Sequence, residues 1–479
     1  MTRNAIAAHA GTPAEPLLKA LAVRLRQPLR VAIAGKVKAG KSTLLNALLG
    51  EALAATDAGE CTKILTWFQH GSNYRVLLQP HQATAVEARF SRDDGGPIQI
   101  DLGGLGPADV DRLVVEWPST TLKNFVLIDT PGIGSVASEV SDRANRFLVP
   151  DEGRATPADA VLYLMRHRHR DDMRLLEAFH DDEVVQPTPV NAVGVLSRAD
   201  EIGGGKTDST ATAAKIAASY RHDPGLHRVC QTVLPVAGLL AFTGRTLREQ
   251  EYTAMHRIAG ADREPLAAAL SSVDRFAEWE GVEDVSAEER RRLLDRFGLF
   301  GLRLAVELIR AGRCTNSAQL AAHLIEQSGL RQLVTVLGTQ FAARSDVLKA
   351  RSVLMALGTV LQQLPDATRL QGEVERIWAG AHEIAELRLL NSLRLDPAGL
   401  AAEEVEEAER LLGSAGTAPI ARLGLEPDAD DAEITRAARS ALDRWQKRAE
   451  SPLSLRSTVH AARVLLRSSE SLLAQESDG

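Results

Sequence analysis

Gly35-Lys36-Val37-Lys38-Ala39-Gly40-Lys41-Ser42 is the stretch that decides the fold. It is a G-x-x-x-x-G-K-S pattern, and its flanks turn the pattern into a mechanism. Before it, Pro28-Leu29-Arg30-Val31-Ala32-Ile33-Ala34 is a short apolar run of strand type. After it, Thr43-Leu44-Leu45-Asn46-Ala47-Leu48-Leu49-Gly50 reads as an apolar helix closed by glycine. Strand, glycine loop and helix in this order make a phosphate-binding loop. Gly35 and Gly40 let the backbone bend close to phosphate oxygens. The amides of Lys36, Val37, Lys38, Ala39 and the helix N-terminus through Thr43 then point at the anion. Lys41 is placed to reach the β- and γ-phosphates, and the Ser42 hydroxyl to bind Mg²⁺.

The rest of the chain is read outward from that loop. Its 479 residues are too many for one core and suffice for two or three domains. Hydrophobic residues at 44% and charged residues at 25% give an ordinary globular balance, while aromatics at 4% beside abundant Ala and Leu favour helix. A net charge of -7 argues against nucleic-acid binding by bulk charge. Cys61, Cys230 and Cys314 lie far apart with no Cys-x-x-Cys spacing, which suits a reducing cytoplasm and no structural zinc. The residues from Met1 to Pro16 hold no continuous apolar core, and no apolar run approaches a membrane span. The expected location is cytoplasmic, with any membrane contact peripheral.

Leu65-Thr66-Trp67-Phe68 and Arg75-Val76-Leu77-Leu78 read as paired strands, and Phe125-Val126-Leu127-Ile128 as a buried one. Ala160 to Leu164, Ala192 to Leu196 and Val233 to Val236 continue the set, with helical stretches between. With the phosphate loop, this alternation predicts an α/β P-loop domain with a mostly parallel sheet, ending near residue 260. From Pro265 onward strand signals stop, and long amphipathic patterns predict an elongated all-α helical bundle. Leu330 to Leu364, stopped by Pro365, reads as one helix of roughly 50 Å. Gly372 to Leu395, Leu400 to Leu412, Ala432 to Ala449 and Ser454 to Gln475 follow as further helices. Leu17, Leu18, Leu21 and Leu25 put a helix before the nucleotide fold, whose apolar partner is expected after Pro265, for example at Leu299 to Ile309. The expected organisation is 1–28 as an N-terminal bundle helix, 29–260 as the nucleotide domain and 261–479 as the helical bundle.

Further residues complete a nucleotide site. Asp129-Thr130-Pro131-Gly132 follows the strand at Phe125 to Ile128. There Asp129 can hold the Mg²⁺ shell through water, and the Gly132 amide can hydrogen-bond a γ-phosphate. Thr62 lies in the irregular stretch after the loop helix, where it can give Mg²⁺ a second hydroxyl and release it after hydrolysis, which makes a switch. Ser197-Arg198-Ala199-Asp200 follows the strand at Ala192 to Leu196. A carboxylate there accepts hydrogen bonds from guanine's ring N–H and exocyclic amine, a pattern adenine does not offer, while the Arg198 stem lies along the base. Val236-Ala237-Gly238 is placed to present backbone amides to the base oxygen.

With these pieces in order, the sequence resembles a GTPase of the dynamin superfamily. Lys41-Ser42-Thr43-Leu44-Leu45-Asn46-Ala47-Leu48-Leu49-Gly50 is typical of its bacterial members. Ala54-Ala55-Thr56-Asp57, the stretch Leu196 to Gly203 and Phe297-Gly298-Leu299-Phe300-Gly301 carry a nearer likeness to the mycobacterial isoniazid-inducible, IniC-type group. The resemblance implies hydrolysis of Mg-GTP to GDP and phosphate, homodimerisation of G domains across the nucleotide, and membrane remodelling at the inner face of the plasma membrane. It also leaves open a hetero-oligomer with a longer related dynamin-like protein, in which this chain would be a regulatory partner of low activity. An RNA- or ribosome-associated GTPase is a further alternative, against which the acidic total speaks. Where Ras-like GTPases carry a water-orienting Gln, this chain has Ile133, and where eukaryotic dynamins have a cation-holding Ser, it has Lys38. Lys38 is therefore a candidate catalytic group beside Lys41 and Thr62, bringing positive charge to the β–γ bridge.

His167-Arg168-His169-Arg170, before Asp171-Asp172, reads as a loop on the nucleotide face or as plain solvated surface. Glu403-Glu404 and Glu406-Glu407 make an acidic helix face. Arg436, Arg439, Arg444, Lys447, Arg448, Arg456, Arg463 and Arg467 make the C-terminal helices basic, for anionic lipid or for acidic neighbours in the bundle.

Overall fold

The structure is a computed structural model. It describes residues 1–55, 63–81, 83–92, 96–132, 157–166, 191–221, 223–227, 230–364 and 367–477. The strands, in chain order, are β1 (Leu29–Gly35), β2 (Leu65–His70), β3 (Arg75–Pro80), β4 (Val86–Glu87), β5 (Phe90–Arg92), β6 (Ile98–Ile100), β7 (Val110–Trp117), β8 (Phe125–Asp129), β9 (Ala160–Met165), β10 (Ala192–Ser197) and β11 (Val233–Val236). Apart from the β5–β6 pair, they form one sheet in the order β11-β10-β9-β1-β8-β2-β7-β3-β4. From β11 to β8 every pairing is parallel. The far side is mixed: β2 runs antiparallel to β8 and parallel to β7, and β3 runs antiparallel to β7.

The central strands are buried on nearly every residue, as unbroken apolar runs must be when helices cover both sheet faces. One face holds Leu44, Leu45 and Leu48 of the helix Lys41–Leu49 against Ile33, Leu127 and Val195. The other face holds Ala32, Val161 and Tyr163 against the helices that follow the sheet.

The expected pairing of Leu65–Phe68 with Arg75–Leu78 is corrected. β7 lies between β2 and β3 and bonds to both. It alternates buried Leu113, Val115 and Trp117 with half-buried Arg112, Val114 and Glu116, the pattern of a strand fully covered on one face only.

The break expected near residue 260 falls inside a continuous core. Leu293, Phe297, Phe300, Leu302, Leu320 and Leu324 belong to the same buried cluster as Val161 and Tyr163 of β9. Leu330, Leu333, Leu337, Phe341 and Leu348 belong to the cluster of the phosphate-loop helix. The helices Ala287–Arg310, Ser317–Gln327 and Leu330–Val336 thus cover the nucleotide fold. Strand signals end near 260, but apolar helix faces after it still need a partner, and the sheet's own helices supply it.

The single helix expected over 330–364 is also corrected. It runs as Leu330–Val336, a π-turn at Leu337–Phe341, a 3₁₀ turn at Ala342–Arg344, and a helix at Ser345–Gln362. The buried Arg344 donates through Nη2 to the carbonyls of Leu412 (2.8 Å) and Gly413 (2.9 Å), and Gln340 Nε2 donates to Ser414 O (3.0 Å). Those long-range bonds sit at the break, as side-chain demands on a π-turn often do. The pattern over 372–395 likewise divides at Ala381, into Thr368–Gly380 and His382–Leu395.

Helices from before and after the nucleotide fold share one small core. Ala5, Ala14 and Leu18, from Thr2–Ala8 and the entry to Glu15–Arg24, pack on Leu354, Leu357, Leu361, Leu370 and Val374. The expected partner at Leu299–Ile309 is wrong, because Phe300, Leu302, Ala305 and Val306 are already spent on the sheet side. The last helices, Ala402–Leu411, Asp431–Glu450 and Arg456–Ser477, close around Leu411, Ala438, Trp445 and Leu465. Asp430 starts the second of these with a capping box to Glu433. Among the described residues no helix is long and apolar enough to cross a membrane.

Candidate nucleotide-binding site

β1 delivers the phosphate loop to the centre of the sheet's C-terminal edge, between β8 and β9. Gly35 is required there, because a Cβ on it would lie 2.5 Å from the Leu164 carbonyl oxygen of β9. The loop then turns through left-handed backbone at Lys38 (φ 61°) and Gly40 (φ 93°), which opens the helix Lys41–Leu49. Lys38 and Val37 are exposed, while Lys36 and Gly40 are half-buried. Lys41 is buried, and its Nζ donates to Gly35 O and Lys36 O, each at 3.2 Å. Its ammonium thus bridges carbonyls of the loop that a phosphate would occupy from above. Burial pushes the Lys41 pKa down, against the opposing charge of Asp129.

Ser42 Oγ donates to Asp129 Oδ2 at 2.7 Å, which joins the loop helix to the end of β8. Asp129 Oδ1 is buried without a hydrogen-bond partner among the described residues. Burial raises the Asp129 pKa, while Lys41 and the Ser42 bond act the other way. A hydroxyl beside a carboxylate with one unsatisfied buried oxygen is a hard-oxygen set that fits Mg²⁺ and its water shell. Thr130 anchors the motif through Oγ1 to Ile33 O at 2.9 Å. Gly132 packs on the loop so closely that a Cβ there would lie 2.6 Å from Val37 Cγ2. Thr62, Ile133 and the segment from His167 to Asp172 lie outside the described residues.

The base side is built by the ends of β10 and β11. Ser197 Oγ donates to Met165 O at 3.2 Å, and the Ala199 amide donates to Val236 O at 3.3 Å. Arg198 turns in left-handed backbone with φ 54°, which points Asp200 inward. Asp200 is buried, and its pKa is pushed up to about 6, chiefly by that burial and further by Glu201, with Arg198 opposing.

A cavity of about 220 Å³ joins the two halves. Gly40, Thr43 and Leu44 line it from the phosphate loop, Ser197, Arg198, Asp200 and Glu201 from the β10 end, and Val236, Gly238 and Leu239 from the β11 end. Ala39, Gly40 and Thr43 of the phosphate loop and Ser197, Arg198, Asp200 and Gly238 of the expected base side therefore border one space, with Lys41, Ser42 and Asp129 outside its lining. Ala237 does not border it, because it is fully buried and its amide donates to Ser328 O at 2.9 Å. A base oxygen cannot take that amide, so its expected role is withdrawn, while Gly238 stays in the wall.

Sequence reasoning missed other contributors. Glu201 and Leu239 line the cavity without any motif to mark them. Gly298 breaks the helix Ala287–Arg310 (φ 63°, ψ 172°), and a Cβ on it would lie 3.4 Å from Leu239 Cδ2 and 4.0 Å from Asp200 Oδ2. Arg303 of the same helix donates to Gly205 O and to Leu270 O, so that helix backs the base loop. The pair of glycines in Phe297-Gly298-Leu299-Phe300-Gly301 was the available signal.

The family model described as "Dynamin family" matches residues 31–198. Over 460 residues the chain is 39% identical to the isoniazid-induced protein IniC of Mycobacterium tuberculosis, covering 96% of this chain and 92% of that protein. It is 29% identical over 158 residues to a bacterial dynamin-like protein of Nostoc punctiforme, covering 29% of this chain and 20% of that one. A solved structure of an oligomerised bacterial dynamin pair aligns over 100% of this chain and 74% of its own, at 13% identity and a TM-score of 0.32.

Proposed function

This chain belongs to the dynamin family, with IniC-type proteins among its relatives, and on that premise we propose that it binds Mg-GTP and hydrolyses it to GDP and phosphate. One observation carries the reading: the phosphate loop and the Asp200 loop line a single cavity. The purine enters beside Asp200, whose carboxylate takes guanine's ring N–H and exocyclic N–H. Arg198 covers the base face. The triphosphate lies along Gly35 to Thr43, and Lys41 exchanges the Gly35 and Lys36 carbonyls for phosphate oxygens.

Ser42 would hold Mg²⁺ directly and Asp129 through water, with Thr62 adding a second hydroxyl. Bound there, the ion supplies Lewis-acid charge to the phosphoryl oxygens. The Gly132 amide orients the γ-phosphate, and the exposed Lys38 ammonium adds charge at the β–γ bridge as it breaks. Ile133 offers no group to orient water, so turnover rests on the loop and on the opposing nucleotide face of a second copy.

We assign 29–260 to the nucleotide unit, backed by the helices that pack on its core, and 1–28 with the later helices to the part that moves. Anionic lipid is the proposed partner of the C-terminal helices. Leu453 (93% exposed) and Leu455 (62% exposed) stand in the turn between Asp431–Glu450 and Arg456–Ser477, beside exposed Lys447 and Arg456. Arg444 and Arg448 are engaged by Glu407 and Glu404, so part of the basic face serves the bundle itself.

Titration of GTP, ATP and xanthosine triphosphate into the protein and into Asp200→Asn tests the base reading, with phosphate release read in parallel. The parent should prefer GTP, and the variant should lose GTP and gain xanthosine triphosphate. Equal ATP and GTP binding in the parent would overturn the assignment. Co-sedimentation with anionic vesicles, with and without GTP, tests the membrane partner, and failure to sediment in both states would leave a regulatory role beside a longer dynamin-like protein.

A further inference from the structure

The base site contains a bridge that guanine recognition by Asp200 does not require. Arg198 Nη1 lies 2.6 Å from Glu201 Oε1, and Arg166 Nη2 lies 2.7 Å from Glu201 Oε2. Glu201 thus spends one carboxylate oxygen on each of two guanidinium groups, one from its own loop and one from the residue after β9. Both Arg198 and Glu201 line the cavity. We propose that Glu201 is a positioning residue of this site, which with Arg166 holds the Arg198 side chain flat along the purine face. The inference rests on the guanine reading of Asp200.

The Arg198 side chain is long and its backbone left-handed, so nothing in the main chain directs the guanidinium toward the cavity. A planar guanidinium stacks well on an aromatic face, but only when its orientation is set. Glu201 sets it from the side, and Arg166 fixes Glu201 in turn. Each of these side chains is partly exposed, with Glu201 at 48%, so an isolated pair of this kind would be worth little. The bridge gains its value from what it orients.

Glu201 also adds negative charge beside Asp200. The groups facing Asp200 are Arg198 and Glu201 on its own loop, with Arg166 reaching Glu201 from the end of β9. From the helix Ala287–Arg310, Arg303 holds Gly205 O near the turn of the same loop. The phosphate-loop helix and the helix Gly238–Arg245 face it with Gly40, Thr43, Leu44, Gly238 and Leu239, none of which titrates. Removing the Glu201 charge therefore has two effects of opposite sense. The stacking group is loosened, and the carboxylate that reads guanine stays ionised to lower pH.

Mg-GDP and Mg-ADP titrations of Glu201→Gln between pH 5 and 8 test this. At pH 7.5 GDP should bind about three- to tenfold more weakly than to the parent. ADP should weaken by the same factor, because stacking does not distinguish purines, so the GDP/ADP ratio should hold. The pH at which GDP binding falls off should move downward. In Arg198→Ala, adding Glu201→Gln should cost nothing further at pH 7.5, and Glu201→Asp should recover part of the loss. Parent-like GDP affinity in Glu201→Gln, or losses that add in the Arg198→Ala background, would overturn the inference. A parent that fails to prefer GDP over ADP would instead overturn the guanine reading, so the two failures are told apart.

Discussion

Replacing Arg24 by alanine should cost far more than a surface ion pair, because it strands a buried charge. Arg24 Nη2 lies 2.6 Å from Asp159 Oδ1, and the two side chains are only 6% and 1% exposed. Asp159 Oδ2 accepts the Arg30 amide at 2.9 Å, and Asn191 Nδ2 donates to its carbonyl at 3.2 Å. Those bonds survive the substitution, but the neutralising charge does not. Arg30 is a poor substitute, since its guanidinium is held by Pro157 O and Gln27 Oε1 and only its backbone amide bonds to Asp159. Breaking a buried pair from one side costs roughly 3–5 kcal/mol, and removing both charges recovers most of that. Arg24→Ala should therefore lower the denaturation midpoint strongly, and Arg24→Met with Asp159→Asn should stand close to the parent. The pair joins the end of the helix Glu15–Arg24 to the start of β9, so hydrogen exchange should rise in residues 2–24 of the single variant. Nucleotide affinity should hold, because the phosphate loop lies at the other end of β1, roughly 20 Å away. A single variant within about 1 kcal/mol of the parent, or a double variant as unstable as the single, would refute the reasoning.

Further outcomes follow from particular groups. Asp200 rises from 3.8 to about 6, roughly 3 kcal/mol of charge burial. A raised carboxylate pKa removes stability as pH climbs through that interval, so nucleotide-free Asp200→Asn should melt higher than the parent at pH 7 and equal it near pH 4. Glu386 runs the other way, held below the ordinary carboxylate range by His382, Arg422 and Ser468 against its burial. Its contribution is present at neutral pH and lost as pH falls below about 4.5, so Glu386→Gln should destabilise the C-terminal helices at pH 7 and leave little difference in acid. Gly329→Ala would place a Cβ 2.3 Å from Pro235 O in left-handed backbone (φ 75°), and a loss of roughly 2 kcal/mol or more with weakened GDP binding is expected by calorimetry. Lys38→Ala should lower kcat much more than GTP affinity in a phosphate-release assay, and a strong K⁺ requirement in the parent would deny Lys38 that role.

What was legible in the sequence was whatever the chain writes locally. β1 from Val31, β8 and β10 are unbroken apolar runs ending in Gly35, Asp129 and Ser197, and their ends converge on one edge as parallel strands must. β7 was hidden because Asp111, Arg112 and Glu116 interrupt its apolar residues, and because its place is set by pairing with β2 and β3 rather than by its own composition. The break at Leu337–Arg344 was hidden for another reason. Apolar spacing runs on through Leu333, Leu337 and Phe341, while the bonds at the break come from Leu412, Gly413 and Ser414. The partner of Leu18 is equally non-local, and amphipathic periodicity says only that a partner exists. At the site, Asp200 was readable from its register after β10. Glu201 was not, because an exposed acid after a motif looks like any solvated loop until Arg166 is seen on its other oxygen.

The later helices attach to the candidate nucleotide site through both the end of β11 and the phosphate-loop helix. β11 ends at Val236, and the next amide, Ala237, is held by Ser328 O. Gly329 sits against Pro235 with no room for a side chain, and the helix Leu330–Val336 starts there. Leu330, Leu333, Leu337 and Phe341 then share a core with Leu44 and Leu48 of the phosphate-loop helix. A shift of either the base wall or the loop helix therefore displaces the start of this segment as a packed unit, since close-packed interiors transmit strain rather than absorb it. The displacement reaches the π-turn and Arg344, whose partners belong to the turn after Ala402–Leu411. Beyond it, Ser345–Gln362 carries the N-terminal helices, and Lys349 Nζ donates to Leu25 O at 3.2 Å. Arg24 returns the path to β9. The segment from Gly329 to Gln362 is thus tied to the sheet through Gly329 and, by way of the N-terminal helices, through Arg24, and the irregular turns at Leu337–Arg344 lie between those ties. A regular helix held at both ends resists bending, whereas a π- and 3₁₀-interrupted one has hydrogen bonds that can re-register, so any angular change between the ties would be taken up first at that joint, and a distance label across Leu337–Arg344 that stays constant between GDP and a transition-state analogue would refute this.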